Sequence, residues 1–395
     1  MKKQKIFRNI AAFITVATIL TACSFQSKER QVEEQIGKIM DSTGTVGLAV
    51  AVVKDGKIIY SNSFGYKNLE EQTPLVKEDI FRIASISKSF TTTALMTLVE
   101  KGLFGLDDDV SNLVGFTVRN PKYPDVPITV KLLLSHTSSM NDAGGYFRLD
   151  VINPEKNPDY AKSYNDYEPG SKYEYCNLGF NTLGAVIEKY SGVRFDNLIK
   201  ETIINPLGLI ASFNVDSLDV AKYVPLYSKE PVDTTKGAER VFKAQPAAYL
   251  SRAKDIDSGY VMGYSTPLFS PTGGMKTSAY DLARYMIMHM NYGVGENGVR
   301  VISEESAKLM QTPVVETGEL NSYCLALRHA GNLIPGEMMV GHTGSAYGLY
   351  SAMFFEPNKK FGFVMMTNGC DPVYKDGFTV IQGDVIRALY DIYIK

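Results

Sequence analysis

The sequence predicts an α+β fold: an antiparallel sheet built from the N- and C-terminal segments and flanked by helices, with a mostly helical second lobe between them. Three observations carry that expectation. Val46 to Val53 and Lys57 to Phe64 read as two strands joined at Asp55-Gly56, a strong hairpin signal. Tyr350 to Phe355 and Phe361 to Thr367 form a second strand pair around Glu356-Pro357-Asn358-Lys359-Lys360, followed by a helix from about Phe378 to Tyr393. The stretch between the two ends is helical in pattern and rich in loops.

The first residues are an address. Lys2, Lys3, Lys5 and Arg8 precede an apolar run, Ile10 to Leu20, that is too short to span a bilayer, and Leu20-Thr21-Ala22-Cys23 closes it. Residues 1–22 therefore read as a signal peptide. The ending resembles a bacterial lipobox, which implies a lipidated Cys23 and a chain anchored to a membrane in the cell envelope, outside the cytoplasm. An ordinary signal peptide cut near Ala22 is the alternative. Residues 23–30 read as a polar tether and 31–395 as one domain, with a sheet lobe at about 31–80 and 275–395 and a helical lobe at about 81–274.

Removing the leader takes four positive charges and moves the formal charge from −2 to −6. A mildly acidic chain without a basic run is a poor nucleic-acid binder. Beyond Cys23 there remain Cys176, Cys324 and Cys370, an odd number that argues against a disulfide scaffold. His136, His289, His329 and His342 are scattered, with no helical pair and no Cys or carboxylate partner at metal-site spacing, so a zinc centre is not expected.

Val32, Ile36, Ile39 and Met40 follow the spacing of an amphipathic helix. Ser85 and Lys88, in the expected first turn of another helix, share a face at i and i+3, which brings a hydroxyl and an amine together. Ala94, Leu95, Leu98 and Val99 continue that helix and Gly102 supplies a stop. A second Ser-x-x-Lys, Ser251 to Lys254, sits in polar, loop-like sequence. Thr129 caps a short helix leading into Leu133-Leu134-Ser135-His136-Thr137. After Pro169-Gly170, Tyr175 and Asn177 alternate on an extended segment and so point the same way, with a further helix beginning at Leu183. Gly341-His342-Thr343-Gly344-Ser345 precedes a strand; its glycines would let a ligand backbone approach, or mark a β-bulge.

The ordered set Ser85-x-x-Lys88, Tyr175-x-Asn177 and His342-Thr343-Gly344 resembles the serine β-lactamase and penicillin-binding-protein superfamily, in the branch holding class C β-lactamases, DD-peptidases and related esterases. Phe81-Arg82-Ile83-Ala84, Pro206-Leu207-Gly208, Pro271-Thr272-Gly273-Gly274-Met275 and Asp281-Leu282-Ala283-Arg284 extend the resemblance over roughly residues 30–390. It implies Ser85 as nucleophile, Lys88 and Tyr175 sharing proton transfer with the base left open, and Asn177 bonding substrate or Lys88. It further implies substrate binding by His342, Thr343, Gly344 and Ser345, and an oxyanion hole from the Ser85 and Ser345 backbone N–H groups. No metal and no organic cofactor is implied.

Two departures bear on substrate. Class C β-lactamases carry Lys where this chain has His342, and an imidazole is a weaker fixed cation for a β-lactam carboxylate. Ser139 stands where Gly usually follows His136-Thr137-Ser138, while Cys176 reads as a small packing residue. Tyrosine-rich stretches at 146–167, including Tyr160, Tyr164 and Tyr167 at helical spacing, and at 223–264 would supply aromatic walls for an amphipathic substrate or plain packing. The expected partners are a small-molecule or peptide-like ester or amide, an alcohol or amine acceptor if the enzyme transfers acyl groups, and a membrane through the lipid. Three functions are expected in order: serine hydrolase through acyl-Ser85, acyltransferase through the same intermediate, and a non-catalytic surface sensor on the same fold.

Overall fold

The computed structural model describes residues 28–231, 240–256 and 258–395; the expected signal peptide and Cys23 lie outside them. A helix, α1, occupies residues 28–43, so the last three residues of the expected tether belong to it. Its Val32 and Ile36 are wholly buried, as their i, i+4 spacing requires. β1 (Gly47–Lys54) and β2 (Lys57–Asn68) form the hairpin. Asp55 and Gly56 both take positive φ, 53° and 70°, the left-handed pair that a two-residue turn demands.

β3 (Thr73–Pro74), β4 (Val315–Gly318), β5 (Asn321–Tyr323), β6 (Arg328–Ile334), β7 (Glu337–Ala346), β8 (Leu349–Glu356) and β9 (Phe361–Thr367) complete one sheet. Its nine strands lie in the order β3-β2-β1-β9-β8-β7-β6-β5-β4, and each pairing is antiparallel. The two ends of the chain meet where β1 runs against β9, Leu48 opposite Thr367 and Lys54 opposite Phe361. Both faces of this centre are covered, which is why β1 is continuously apolar rather than alternating. Leu48, Val50 and Val52 pack with Phe354, Phe363 and the helix α5 (Val380–Tyr393). Ala49, Ala51 and Val53 face the opposite core, shared with α4 (Ala279–Met290) and the helical lobe.

α2 (Ser87–Glu100) runs through the helical lobe and is buried from Ser87 to Leu98 although its first seven residues read SKSFTTT. Hydroxyls in such a place need partners; Ser87 accepts the Met275 N–H and Thr91 donates to the Pro271 carbonyl, while the others bond the preceding turn. Ser89 Oγ donates to the Ile86 carbonyl at 2.8 Å, Thr92 Oγ1 to that of Lys88 at 3.0 Å and Thr93 Oγ1 to that of Ser89 at 2.9 Å. Thr129 caps Val130–Leu134 as expected, accepting the Leu132 N–H.

α3 (Asn177–Ser191) begins six residues before the expected start at Leu183. Gly179 and Gly184 blur its helical pattern, but each is a packing contact. A Cβ on Gly184 would lie 2.5 Å from Pro271, and one on Gly179 would lie 3.3 Å from Leu133. Tyr160, Tyr164 and Tyr167 are not on a helix: a short 3-10 turn spans Tyr160–Ser163, and the buried Tyr164 packs edge-on against Tyr160 at 6.3 Å.

Candidate active site

Ser85 does not open α2. It sits one turn earlier, in the 3-10 turn Ala84–Ile86 that runs into the helix. Ala84 before it has φ of +47°, a conformation that costs a non-glycine residue roughly 1 kcal/mol or more and persists only where neighbours over-determine it. The neighbours are visible on both flanks. The Ile83 N–H donates to the Met275 carbonyl at 3.0 Å, and the Ser351 hydroxyl donates to the Ile83 carbonyl at 3.0 Å.

Lys88 is wholly buried, and its Nζ lies 2.9 Å from Asn177 Oδ1, 3.0 Å from the Thr272 carbonyl oxygen and 3.3 Å from Ser85 Oγ. Burial lowers its pKa to about 7, with Asp142 and then Cys176 opposing the shift. The partners decide what a neutral amine does here. Two are oxygens that only accept, so they take its two N–H groups, and the remaining lone pair faces the Ser85 hydroxyl. That arrangement can accept the serine proton.

Tyr175 stands over the same amine, its ring centroid 4.7 Å from Lys88 Nζ. Its hydroxyl is buried without a hydrogen bond. Burial raises the phenol's pKa, and Ser85 is the strongest opposing influence. The phenol therefore stays protonated at neutral pH and can donate. The segment is clamped from behind by His136, whose Nδ1 accepts the Cys176 N–H at 3.1 Å while its carbonyl accepts the Glu174 N–H at 2.8 Å. The His136 and Tyr175 rings are 4.2 Å apart. Cys176 is buried with a thiol held in the protonated form by burial, a packing residue as expected.

Asn177 is the first residue of α3. Its amide is gripped on the other side by Asp142, which no sequence pattern marks.

His342, Thr343, Gly344 and Ser345 lie inside β7, in unbroken register with β8: His342 opposite Met353, Gly344 opposite Ser351. The bulge alternative is excluded here. Burial pushes the His342 imidazole down to about 3. Its Nδ1 faces the Thr343 carbonyl at 2.5 Å and therefore carries the proton, leaving Nε2 to accept from the Tyr323 hydroxyl at 3.0 Å. His342 is thus a neutral, fully paired ring. Tyr323 is likewise absent from the sequence-derived site, since nothing in its spacing marks it. Arg328, on the adjacent β6, turns onto the α5 face of the sheet, its guanidinium 4.5 Å from the Phe378 ring centre. The second Ser-x-x-Lys is unrelated: Ser251 is exposed and bonds Asp216 at 2.7 Å.

Between the sheet and the helical lobe the fold thus gathers the Ser-x-x-Lys turn, the Tyr-x-Asn corner and the His-Thr-Gly strand. This is the serine β-lactamase and penicillin-binding-protein superfamily, in its class C-like part. The chain belongs to the β-lactamase family, whose model matches residues 32–380. It is similar to penicillin-binding protein 4* of Bacillus subtilis (strain 168), 31% identical over 198 residues, 47% of this chain and 41% of that one. It therefore spans less than half the length of that relative. It is also similar to penicillin-binding protein 4 of Amycolatopsis lactamdurans, 25% identical over 356 residues, 86% of this chain and 85% of that one. Among solved structures it shares the fold of EstCE1, a hydrolase with promiscuous acyltransferase activity, at 23% identity and a TM-score of 0.69, covering 91% of this chain and 98% of that one.

Proposed function

We propose that the protein cleaves an ester or amide through an acyl-Ser85 intermediate, with neutral Lys88 as the base. The supporting observation is the pairing of Lys88: two acceptor-only oxygens on its N–H groups, a pKa of about 7, and a lone pair left for the Ser85 hydroxyl. Ser85 Oγ attacks the substrate carbonyl carbon as its proton passes to Lys88 Nζ. The oxyanion is received by the Ser85 and Ser345 backbone N–H groups, each such donor contributing about 3 kcal/mol. The carbon–heteroatom bond then breaks, with Tyr175 delivering a proton to the leaving group and recovering one from Lys88. Water, activated by the same pair, hydrolyses the acyl-enzyme.

An ester or uncharged amide suits this site better than a carboxylate-bearing β-lactam, because His342 supplies no cation at neutral pH. A second reading keeps the intermediate and replaces water with an alcohol or amine; the resemblance to EstCE1, whose acyltransferase activity is described as promiscuous, favours it. Intact-mass analysis of residues 24–395 after fluorophosphonate or activated-ester treatment tests the chemistry. One adduct, lost in Ser85→Ala, is the expected result, and no adduct on folded protein would leave a non-catalytic binding role. Products that change on adding alcohols or amines separate transfer from hydrolysis. For location, we propose a lipid anchor at Cys23: lipid labelling of the full chain in a bacterial host is expected, and its persistence in Cys23→Ser would refute it.

A further inference from the structure

Asp142 lies in the loop after the His136-Thr137-Ser138 corner, and its carboxylate is spent entirely on the start of α3. Oδ2 accepts the Asn177 N–H at 3.0 Å and the Asn177 Nδ2–H at 2.8 Å. Oδ1 accepts the Leu178 N–H at 2.9 Å and the Cys176 Sγ–H at 3.4 Å. The helix has no side-chain cap of its own, since Cys176 occupies that position. Its first two N–H groups, of Asn177 and Leu178, are satisfied from 35 and 36 residues away.

The bond to Nδ2 does something a cap alone does not. An amide has two faces of opposite character, a donating nitrogen and an accepting oxygen. A carboxylate only accepts, so it holds Nδ2 and leaves Oδ1 turned toward Lys88, 2.9 Å from Nζ. Flipping the amide would set oxygen against carboxylate and aim an N–H at the amine. The amine would then turn its lone pair from Ser85 to accept that N–H, and the base would be quenched. We propose that Asp142 is a positioning residue that locks the Asn177 side-chain amide in the orientation that keeps the Lys88 lone pair on Ser85. The proposal rests on the reading of Lys88 as base.

Asp142 also acts on Lys88 through space. The other groups around the amine are Cys176, which opposes its loss of the proton, and His136 and His342, whose pKa values are lowered by burial and by Lys88 itself. Both imidazoles and the Tyr175 phenol are neutral near pH 7, so Asp142 is the charge that matters. Asp142 holds the Lys88 midpoint up against burial, so its removal should lower that midpoint.

The test compares Asp142→Asn and Asp142→Ala in the soluble chain with the unsubstituted protein. The readouts are the pH profile of Ser85 labelling by a fluorophosphonate, the lysine side-chain NMR titration of Lys88, and the thermal midpoint. Labelling is expected to slow by about 10- to 100-fold in both variants, the effect of a small misplacement in a catalytic constellation, and the acid limb of the profile to move to lower pH with the Lys88 midpoint. Asp142→Asn retains one accepting oxygen for the α3 N-terminus and should melt closer to the unsubstituted protein than Asp142→Ala. Both variants labelling at the unsubstituted rate with an unmoved profile, whatever their melting points, would reduce Asp142 to a helix cap. If the unsubstituted protein is not labelled at all, the acyl-enzyme reading fails first. The Lys88 titration then judges Asp142 alone: a lowered midpoint sustains its coupling to the amine, and an unmoved one overturns it.

Discussion

Gly344 and Ile83 touch where β7 passes behind the Ser85 turn: a Cβ on Gly344 would lie 2.3 Å from the Ile83 carbonyl oxygen, 2.4 Å from Ser351 Oγ and 3.2 Å from Ala84 Cβ. Two of these are backbone or tightly held groups that cannot withdraw. Gly344→Ala should therefore push the Ala84–Ser85 turn off its seat, costing about 1–3 kcal/mol of stability as overpacking does and slowing Ser85 labelling by about 100-fold. The same substitution at Gly37 should do the reverse. That residue lies within α1, and nothing stands inside 4 Å of the place an added methyl group would take, so Gly37→Ala should add about 0.5–1 kcal/mol. Thermal melts of the two variants decide it, and equal signs would refute the packing argument.

The dependence of rate on pH follows from Lys88. Its amine must be neutral to accept the Ser85 proton, and with a midpoint of about 7 the rate with an uncharged ester should climb as pH rises through that value, with a one-proton slope, and level off above it. His342 cannot supply this limb, since its own midpoint near 3 leaves it neutral throughout. Tyr175 is raised and adds no fall in the mildly alkaline range. A flat profile between about pH 5.5 and 9 would remove Lys88 from the role of base.

The three segments that meet at the candidate site and the sheet ends were legible because each is a local pattern. Ser85 and Lys88 are neighbours on one turn, Asp55-Gly56 is a turn by residue type, and β8 and β9 are apolar runs of strand length. The start of α3 was not legible. Its glycines serve contacts with Leu133 and Pro271, and its N-terminal groups are satisfied by Asp142 in another loop, so no Ser, Thr or Asp precedes the helix to mark it. Asp142 and Tyr323 escaped for the same reason. Each acts through tertiary hydrogen bonding, to Asn177 and to His342, and hydrogen bonds across 35 and 19 residues leave no period in a sequence. The tyrosine spacing at 160, 164 and 167 erred in the other direction, matching a helical period in a stretch whose backbone forms only one 3-10 turn.

Tyr323 holds His342 through its hydroxyl, bonded to Nε2 at 3.0 Å, and through an edge-on ring contact at 5.9 Å. Tyr323→Phe keeps the ring that packs 5.3 Å from Tyr173 and 5.0 Å from His136 but strips the buried Nε2 of its donor. An unpaired buried acceptor costs about 1–3 kcal/mol, so the melting point should fall, and the freed imidazole should slow labelling modestly, by about threefold to tenfold. Unchanged stability would mean that water or a rotated ring replaces the bond.

His342 also sets the expected ranking of acyl donors. Where a lysine would present a full charge, this chain presents a ring whose N–H is bonded to the Thr343 carbonyl and whose other nitrogen is bonded to Tyr323. Arg328 lies on the far face of the sheet against Phe378. A carboxylate-bearing β-lactam entering beside β7 would give up water without meeting a cation on that strand. Charge-assisted hydrogen bonds contribute about 1.5–3 kcal/mol, so their absence should slow β-lactam acylation of Ser85 by about 10- to 100-fold relative to an uncharged activated ester of similar size. Intact-mass time courses with both reagents on the same protein measure the ratio directly. A β-lactam that acylates Ser85 as fast as the ester would show that some other group receives the carboxylate, and the specificity argument built on His342 would fall.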